Sequence, residues 1–284
     1  MPVVVLITND SMHGRRVLQS VWERGIVLDA VLFLTGSLGL PPARGTGFAG
    51  RLRRWPAAVA TAVARRVRFA TGRRRPYAER CGRVIATGGM NSGRLLRDLR
   101  RLRPDWIVLG GGGILSPQVI ATARMGVLNA HPALLPWIRG CGTTGASLVH
   151  GVALGATVHR VDAGIDTGAI VRRRLLPVAP GDTHLGDLEQ GCMRLASTML
   201  ADAVEAIVRR DDPQAGVPQP ERYPLFRTAR EAELREHFAI AASGRAHALY
   251  RAWLPLCPDP EDGILPSSPV AAPQGMEVRP AVGP

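Results

Sequence analysis

Short apolar runs recur along the first two-thirds of the chain, separated by stretches with helical spacing. Val3–Thr8 is compact and apolar and ends in Asn9-Asp10-Ser11. Leu28–Leu34, Arg83–Thr87, Trp106–Gly110 and Val127–Ala130 are four more such runs, each apolar on both faces. Between them, Gly14–Arg24 sets Val17, Val21 and Trp22 at helical spacing, and Ser92–Leu102 sets Leu95, Leu96, Leu99 and Leu102 on one side. A strand without polar alternation has to be covered on both faces, and an amphipathic helix is what covers it. The pattern predicts an α/β fold: a doubly wound, mostly parallel sheet with helices on each face. Gly155–Val161 and Gly168–Leu176 are two later strands, and Thr183 is placed to cap a long helix running to about Arg210.

Two segments break the rhythm. Residues 44–80 hold eleven arginines against one acid, Glu79, and Trp55-Pro56 opens an alanine- and valine-rich stretch. A basic helix over Ala57–Phe69, inserted between the second and third strands, is the expectation. It is either a solvated surface or a patch for phosphate, nucleic acid or anionic lipid. Residues 211–224, rich in proline and acids, form a linker. Thr228–Ile240 and Arg245–Trp253 are two short helices. From Pro255 on, proline, glycine and serine dominate, and the expectation is a disordered or loosely draped tail. The domain reading is therefore a catalytic domain over 1–210 with a basic insert at 44–80, a linker and short helical and coil extension over 211–254, and a tail over 255–284.

Composition adds limits more than content. The chain of 284 residues is 46% hydrophobic, and its apolar runs fall far short of the roughly 20 residues a membrane helix needs. The N-terminus lacks the pattern of a secretory leader, so the expected location is cytoplasmic. The four cysteines, at 81, 141, 192 and 257, form no C-x-x-C pair, and no metal site is expected. The formal net charge is +13, and all 36 basic residues are arginine. That bias follows coding composition as readily as ligand choice. The missing lysine excludes a P-loop of the G-x-x-x-x-G-K-[ST] type, a pyridoxal phosphate Schiff base and a lysine nucleophile.

Candidate chemistry is concentrated in 104–182. Asn129 and His131 end a buried strand, and alternation puts both side chains on one side. Ligands of open α/β sheets bind outside the carboxyl ends of the strands. An amide and an imidazole aimed the same way can surround a carbonyl oxygen that is becoming an oxyanion. Asp166 follows a later strand, and a carboxylate beside an imidazole favours the cationic ring. Such a set suits acyl transfer to an amine. Taken singly, Asn-x-His is most often a turn or a capped strand end, and Asp-x-Gly a turn. The glycine run 110–113 lacks the spacing of a dinucleotide site, and Pro117 and Gln118 open a short helix instead.

The combination is more specific than its parts. Asn129-Ala-His131-Pro-Ala-Leu-Leu-Pro136-x-x-Arg-Gly140, then Ala156-Thr157-Val158-His159 and Asp166-Thr-Gly168, resembles the folate-dependent formyltransferases. That family includes glycinamide ribonucleotide transformylase, methionyl-tRNA formyltransferase and the sugar N-formyltransferases. The resemblance covers roughly Val3–Arg210 and implies a Rossmann-like catalytic domain. It implies that Asn129, His131 and Asp166 are catalytic and that 10-formyltetrahydrofolate is the donor. The pterin pocket is expected along Leu109, Gly112, Gly113, Ile114 and Leu115, and along Val161, Asp162 and Ile165. The acceptor is expected near Asn9 and Ser11, near Met90 and Asn91, and near Arg139. His159 matches a frequent family histidine with a structural or supporting role.

Departures bear on the acceptor. The glycines 110–113 replace bulkier residues, and Cys141-Gly-Thr-Thr-Gly145 differs from purine and tRNA members. The tRNA-formylating relatives carry a β-barrel after the catalytic domain, whereas 211–284 reads as coil and helix. A small amine is the expected acceptor, an amino sugar nucleotide or a specialised-metabolite amine. Nucleic acid is not expected; an anionic membrane surface is retained as a partner for 44–80. Two other readings stand beside this one. A formyltetrahydrofolate hydrolase would use the same three residues on water, but relatives of that kind carry a regulatory domain before the catalytic one. A non-catalytic folate, nucleic-acid or membrane binding protein would use the arginine-rich insert.

Overall fold

The computed structural model describes residues 1–36, 75–111, 113–220 and 224–267. The chain divides into two compact units, Met1–Val127 with Val204–Asp211 and Leu128–Ala203 with Asp212 onward. The basic helix expected at Ala57–Phe69 lies outside the described residues.

The first unit is a parallel sheet with helices between its strands. Its elements are β1 (Val4–Thr8), α1 (Met12–Glu23), β2 (Ala30–Leu34), α2 (Arg75–Ala78), β3 (Val84–Thr87), α3 (Gly93–Leu102), β4 (Trp106–Gly110) and α4 (Pro117–Ile120). β1 runs parallel to β2 and β4, and β2 parallel to β3. Every residue of β1, β2 and β4 is buried, as expected of strands apolar on both faces. Each main helix starts on a serine: Ser11, Ser92 and Ser116 accept from the backbone N–H groups of Gly14, Leu95 and Val119. α1 comes so close to the sheet that a β-carbon on Gly14 would collide with the Gly110 carbonyl and the Thr8 hydroxyl. Only glycine fits there.

The second unit begins within β5 (Gly126–His131) and continues with β6 (Arg139–Gly140), α5 (Thr143–Val149), β7 (Gly155–Arg160), β8 (Ile170–Leu175) and α6 (Leu185–Arg210). The far end of α6, from Val204, belongs to the first unit. Beyond it lie β9 (Leu225–Phe226), α7 (Glu231–Ala242), α8 (Arg245–Trp253), a 3₁₀ turn over Leu254–Leu256 and β10 (Ile264–Leu265). β5 pairs antiparallel with β7, β7 with β8, and β8 with β10. β6 pairs parallel with β9. The apolar core joins the stretch after His131 to the C-terminal helices: Leu134, Trp137 and Ile138 pack with Leu148, Leu175, Leu249 and Trp253. Trp137 and Trp253 meet edge to face with ring centroids 4.9 Å apart.

The fold is thus α/β and Rossmann-like, with a mostly parallel sheet and a short helical C-terminal extension. Three features depart from the sequence reading. β7, β8 and β10 run antiparallel to the strands they pair with. α5 was not foreseen. Residues 255–267, expected to be loose, are bound: Cys257 and Leu265 are buried, and Ile264 and Leu265 pair with Arg174 and Arg173. Hydrogen bonds to β8 add to this burial: the Leu175 N–H donates to the Gly263 carbonyl at 2.9 Å, Arg174 Nε to the Asp262 carbonyl at 2.7 Å and the Ser267 hydroxyl to the Val171 carbonyl at 3.0 Å. The α6 helix starts at Leu185, with the His184 carbonyl accepting from the Asp187 and Leu188 amides, so its cap position is one residue past the expected Thr183.

Candidate active site

β5 carries Asn129 and His131 at alternate positions, and antiparallel pairing sets them opposite His159 and Thr157 of β7. Residues directly opposite in such a pair are near neighbours. The Asn129 Nδ2 accordingly lies 3.2 Å from His159 Nε2. The β7–β8 register shifts at this point: Val158 pairs with Arg172 and His159 with Ile170, leaving Val171 as the extra residue. Such bulges re-aim side chains. This one lies where His159 turns toward Asn129.

Hydrogen-bond partners assign the ring protons. His159 Nδ1 lies 2.8 Å from the Arg160 carbonyl, which can only accept, so Nδ1 carries the hydrogen. Nε2 is left with its lone pair and accepts from the Asn129 amide. Burial lowers the His159 pKa against the opposing pull of the Asp166 charge, which agrees with a neutral ring. His131 is arranged differently. Its Nε2 lies 2.9 Å from the Ile138 carbonyl and is therefore a donor, while Nδ1 faces Asp166 Oδ2 at 3.5 Å. Asp166 Oδ1 lies 3.6 Å from His159 Nε2. One carboxylate thus sits between two buried imidazoles, at distances longer than a normal hydrogen bond to either.

Asp166 is held from outside this pair. The Gly140 N–H donates to its Oδ2 at 2.9 Å, and Arg139 Nε donates to the Ile165 carbonyl at 3.0 Å. Gly140 has φ +91, and a β-carbon there would collide with the Phe226 carbonyl across the β6–β9 pair. Asp166 itself has φ +53, the left-handed region, uncommon for a residue other than glycine and frequent at functional sites.

Asn129, His131 and Asp166 are therefore joined in one cluster, with His159 as the fourth member. The other expected site residues take varied positions. In the first unit, Asn9 Oδ1 accepts from the Ser11 N–H. The Ser11 hydroxyl caps α1 and donates to the Gly110 carbonyl. Met90 is fully buried. Asn91 bridges the loop before α4, donating to the Ile114 carbonyl and accepting from the Ser116 N–H. Leu109 and Leu115 are buried, Gly113 has φ +153, and Gly112 lies outside the described residues. In the second unit, Val161 is half-buried and Ile165 exposed. Asp162 accepts from the Gly164 N–H and the Thr167 hydroxyl. Among the described residues no group of three or more His, Cys, Asp or Glu is arranged to hold a metal, and no helix is long and apolar enough to cross a membrane.

Gln219 was missed. Its amide donates to the Asp166 and Gly168 carbonyls, and nothing in its proline-rich sequence neighbourhood signals this.

Comparison with known proteins fits this geometry. The family model described as formyl transferase matches residues 50–204, more than half of the chain. The methionyl-tRNA formyltransferase of Roseiflexus sp. is 34% identical over 126 residues, 44% of this chain and 37% of the relative. That of Cyanothece sp. is 40% identical over 117 residues, 40% and 34% of the two chains. The chain thus spans little more than a third of the length of these curated relatives. Two solved structures share the fold. A 4-N formyltransferase from Francisella tularensis has TM-score 0.52 at 12% identity, covering 86% of this chain and 87% of that one. The N-formyltransferase from Helicobacter canadensis, in complex with folinic acid and dTDP-3-aminofucose, has TM-score 0.51 at 14% identity, covering 87% and 81%. With the Asn129–His131–Asp166 cluster in place and the family model matched across it, the chain belongs to the formyl transferase family.

Proposed function

We propose that this chain transfers a formyl group from 10-formyltetrahydrofolate to the amine of a small acceptor, an amino sugar nucleotide or a specialised-metabolite amine. The observation that carries the reading is the cluster of Asn129, His131, His159 and Asp166, in which one carboxylate faces two imidazoles beside an amide donor. The donor-contact residues are proposed as Leu109, Ile114, Leu115, Val161, Asp162 and Ile165, and Arg139 as an acceptor contact.

The acceptor nitrogen attacks the formyl carbon and a tetrahedral oxyanion forms. Asn129 has one amide hydrogen on His159 Nε2, and the other is available to the oxyanion. His159 fixes which way the amide points. His131, with Nε2–H on the Ile138 carbonyl, takes up a second proton on Nδ1, where the Asp166 carboxylate faces the resulting cation. The attacking amine loses its proton to this pair. The folate nitrogen gains one as its bond to the formyl carbon breaks, which yields the formamide and tetrahydrofolate.

The test is a panel of amines, nucleotide-linked amino sugars among them, incubated with 10-formyltetrahydrofolate and read by mass spectrometry for a gain of one formyl group. Tetrahydrofolate release at the same rate with and without every amine would make water the acceptor and the chain a hydrolase. Asn129→Ala should reduce turnover about a hundredfold or more, the cost of about 3 kcal/mol that accompanies loss of one oxyanion donor. Parental turnover in that variant would remove Asn129 from the chemistry.

A further inference from the structure

We propose that Gln219, in the segment beyond α6, is a positioning residue for Asp166. The inference rests on the reading of Asp166 as catalytic. Asp166 adopts a left-handed backbone conformation, which persists in a non-glycine residue only where its surroundings impose it. Gln219 supplies that constraint. Its Nε2 donates to the Asp166 carbonyl at 3.0 Å and to the Gly168 carbonyl at 2.6 Å. Both amide hydrogens are therefore spent on one three-residue turn. Its Oε1 is buried and accepts no hydrogen bond among the described residues, so donation is what the side chain contributes there.

The backbone around Gln219 is fixed independently. Ile170 and Val217 exchange both backbone hydrogen bonds, each 2.8 Å long. Arg160 Nη1 reaches the Pro213 and Gln214 carbonyls at 3.3 Å. The segment is thus tied to the Arg160–Ile170 stretch by one isolated bridge at Val217 and by Arg160, and two residues beyond the bridge the Gln219 side chain reaches the turn. The Gly140 N–H holds the carboxylate end of Asp166 and Gln219 holds the backbone end. Between these two anchors the carboxylate keeps its 3.5 Å and 3.6 Å separations from His131 and His159. Without Gln219 the turn can leave the left-handed conformation, and the carboxylate then turns away from both rings.

Gln219→Met keeps the length of the side chain and removes both donors. Gln219→Glu places a carboxylate against two carbonyl oxygens, and its protonated form restores a single donor. Turnover is followed as tetrahydrofolate release from 10-formyltetrahydrofolate with a dTDP-linked 3-amino sugar, and amide hydrogen exchange over 164–168 is read without substrate. Gln219→Met is expected to lower kcat at least tenfold, leave KM for the folate within about twofold, and speed exchange at 164–168 about tenfold. The kcat of Gln219→Glu relative to the parent should rise as the pH falls, because protonation returns a donor; a merely structural residue gives a flat ratio. Should Gln219→Met fail to fold, Gln219→Glu carries the test through this pH ratio and through exchange. Asp166→Asn is measured alongside. If it turns over like the parent, the catalytic reading of Asp166 fails. If it is crippled while the Gln219 variants keep parental kcat or parental exchange at 164–168, the positioning role is overturned and the catalytic reading stands.

Discussion

Thr157 offers a test of how the stretch after His131 is held. It is fully buried on β7, directly opposite His131. Its hydroxyl donates to the Ala133 carbonyl at 2.7 Å and accepts from the Leu135 N–H at 3.0 Å. Thr157→Val keeps the outline and removes the hydroxyl. Two hydrogen bonds worth about 1 kcal/mol each are lost, and a buried carbonyl and a buried N–H are left without that partner, at a cost of about 1–3 kcal/mol for each group that cannot relax. The expected loss is about 2–4 kcal/mol. Thr157→Ser keeps the hydroxyl and removes one buried methyl, at about 1 kcal/mol. Strand propensity argues the other way, since valine exceeds serine on a scale spanning about 1 kcal/mol. The order of the two variants therefore decides which effect governs. Equilibrium urea denaturation at neutral pH, compared at unchanged m-value, measures both. If the valine variant is as stable as the serine variant, the hydroxyl does not pin this loop and the reasoning fails.

Two further outcomes concern stability. His13 is buried, and burial together with the Arg16 charge lowers its pKa from 6.5 to about 4. The unfolded chain therefore binds this proton first. The contribution is intact above pH 6.5 and is lost as the pH falls toward 4, by at most about 3 kcal/mol at about 1.4 kcal/mol per pH unit. Urea midpoints across that window should show the loss, and His13→Gln should flatten it; an equal slope in both proteins removes His13 as the cause. Trp253→Ala empties a fully buried site beside Trp137 and removes the donor to the Gly151 carbonyl. It should cost about 3–5 kcal/mol, with Trp253→Phe recovering part, and a loss below about 1 kcal/mol would show that the C-terminal helix does not support this core.

The first unit was legible because its strands are short, apolar runs whose signal is local. Trp106–Gly110 matches its predicted bounds, and the serine caps at Ser92 and Ser116 stand where helix starts were read. The second unit was less so. Strand direction depends on which segments pair, and nothing within Gly155–Arg160 or Ile170–Leu175 states it. α5 is built from Thr143-Thr-Gly-Ala-Ser-Leu-Val149 and begins on Gly142 without a side-chain cap. Small residues at its start and no serine or aspartate cap leave little helical signal. Asn129, His131 and Asp166 were found through their motif. His159 was matched as a family histidine with a structural or supporting role, but its contact with Asn129 depends on cross-strand register, and Gln219, which acts across 53 residues of sequence, was not found.

That separation has a consequence for the order in which the protein is made. Asp166 leaves the ribosome 53 residues ahead of Gln219, an interval of roughly 3–10 s at typical elongation rates. During that time the strands that carry Asn129, His131 and His159 can already pair, while the Asp166 turn still lacks two of its hydrogen bonds. The backbone end of the Asp166 turn is therefore secured only on the arrival of the 213–219 segment. A ribosome stalled between the two positions would display a nascent chain that already holds the Gly140 partner of the Asp166 carboxylate and still lacks the Gln219 donor to the Asp166 carbonyl.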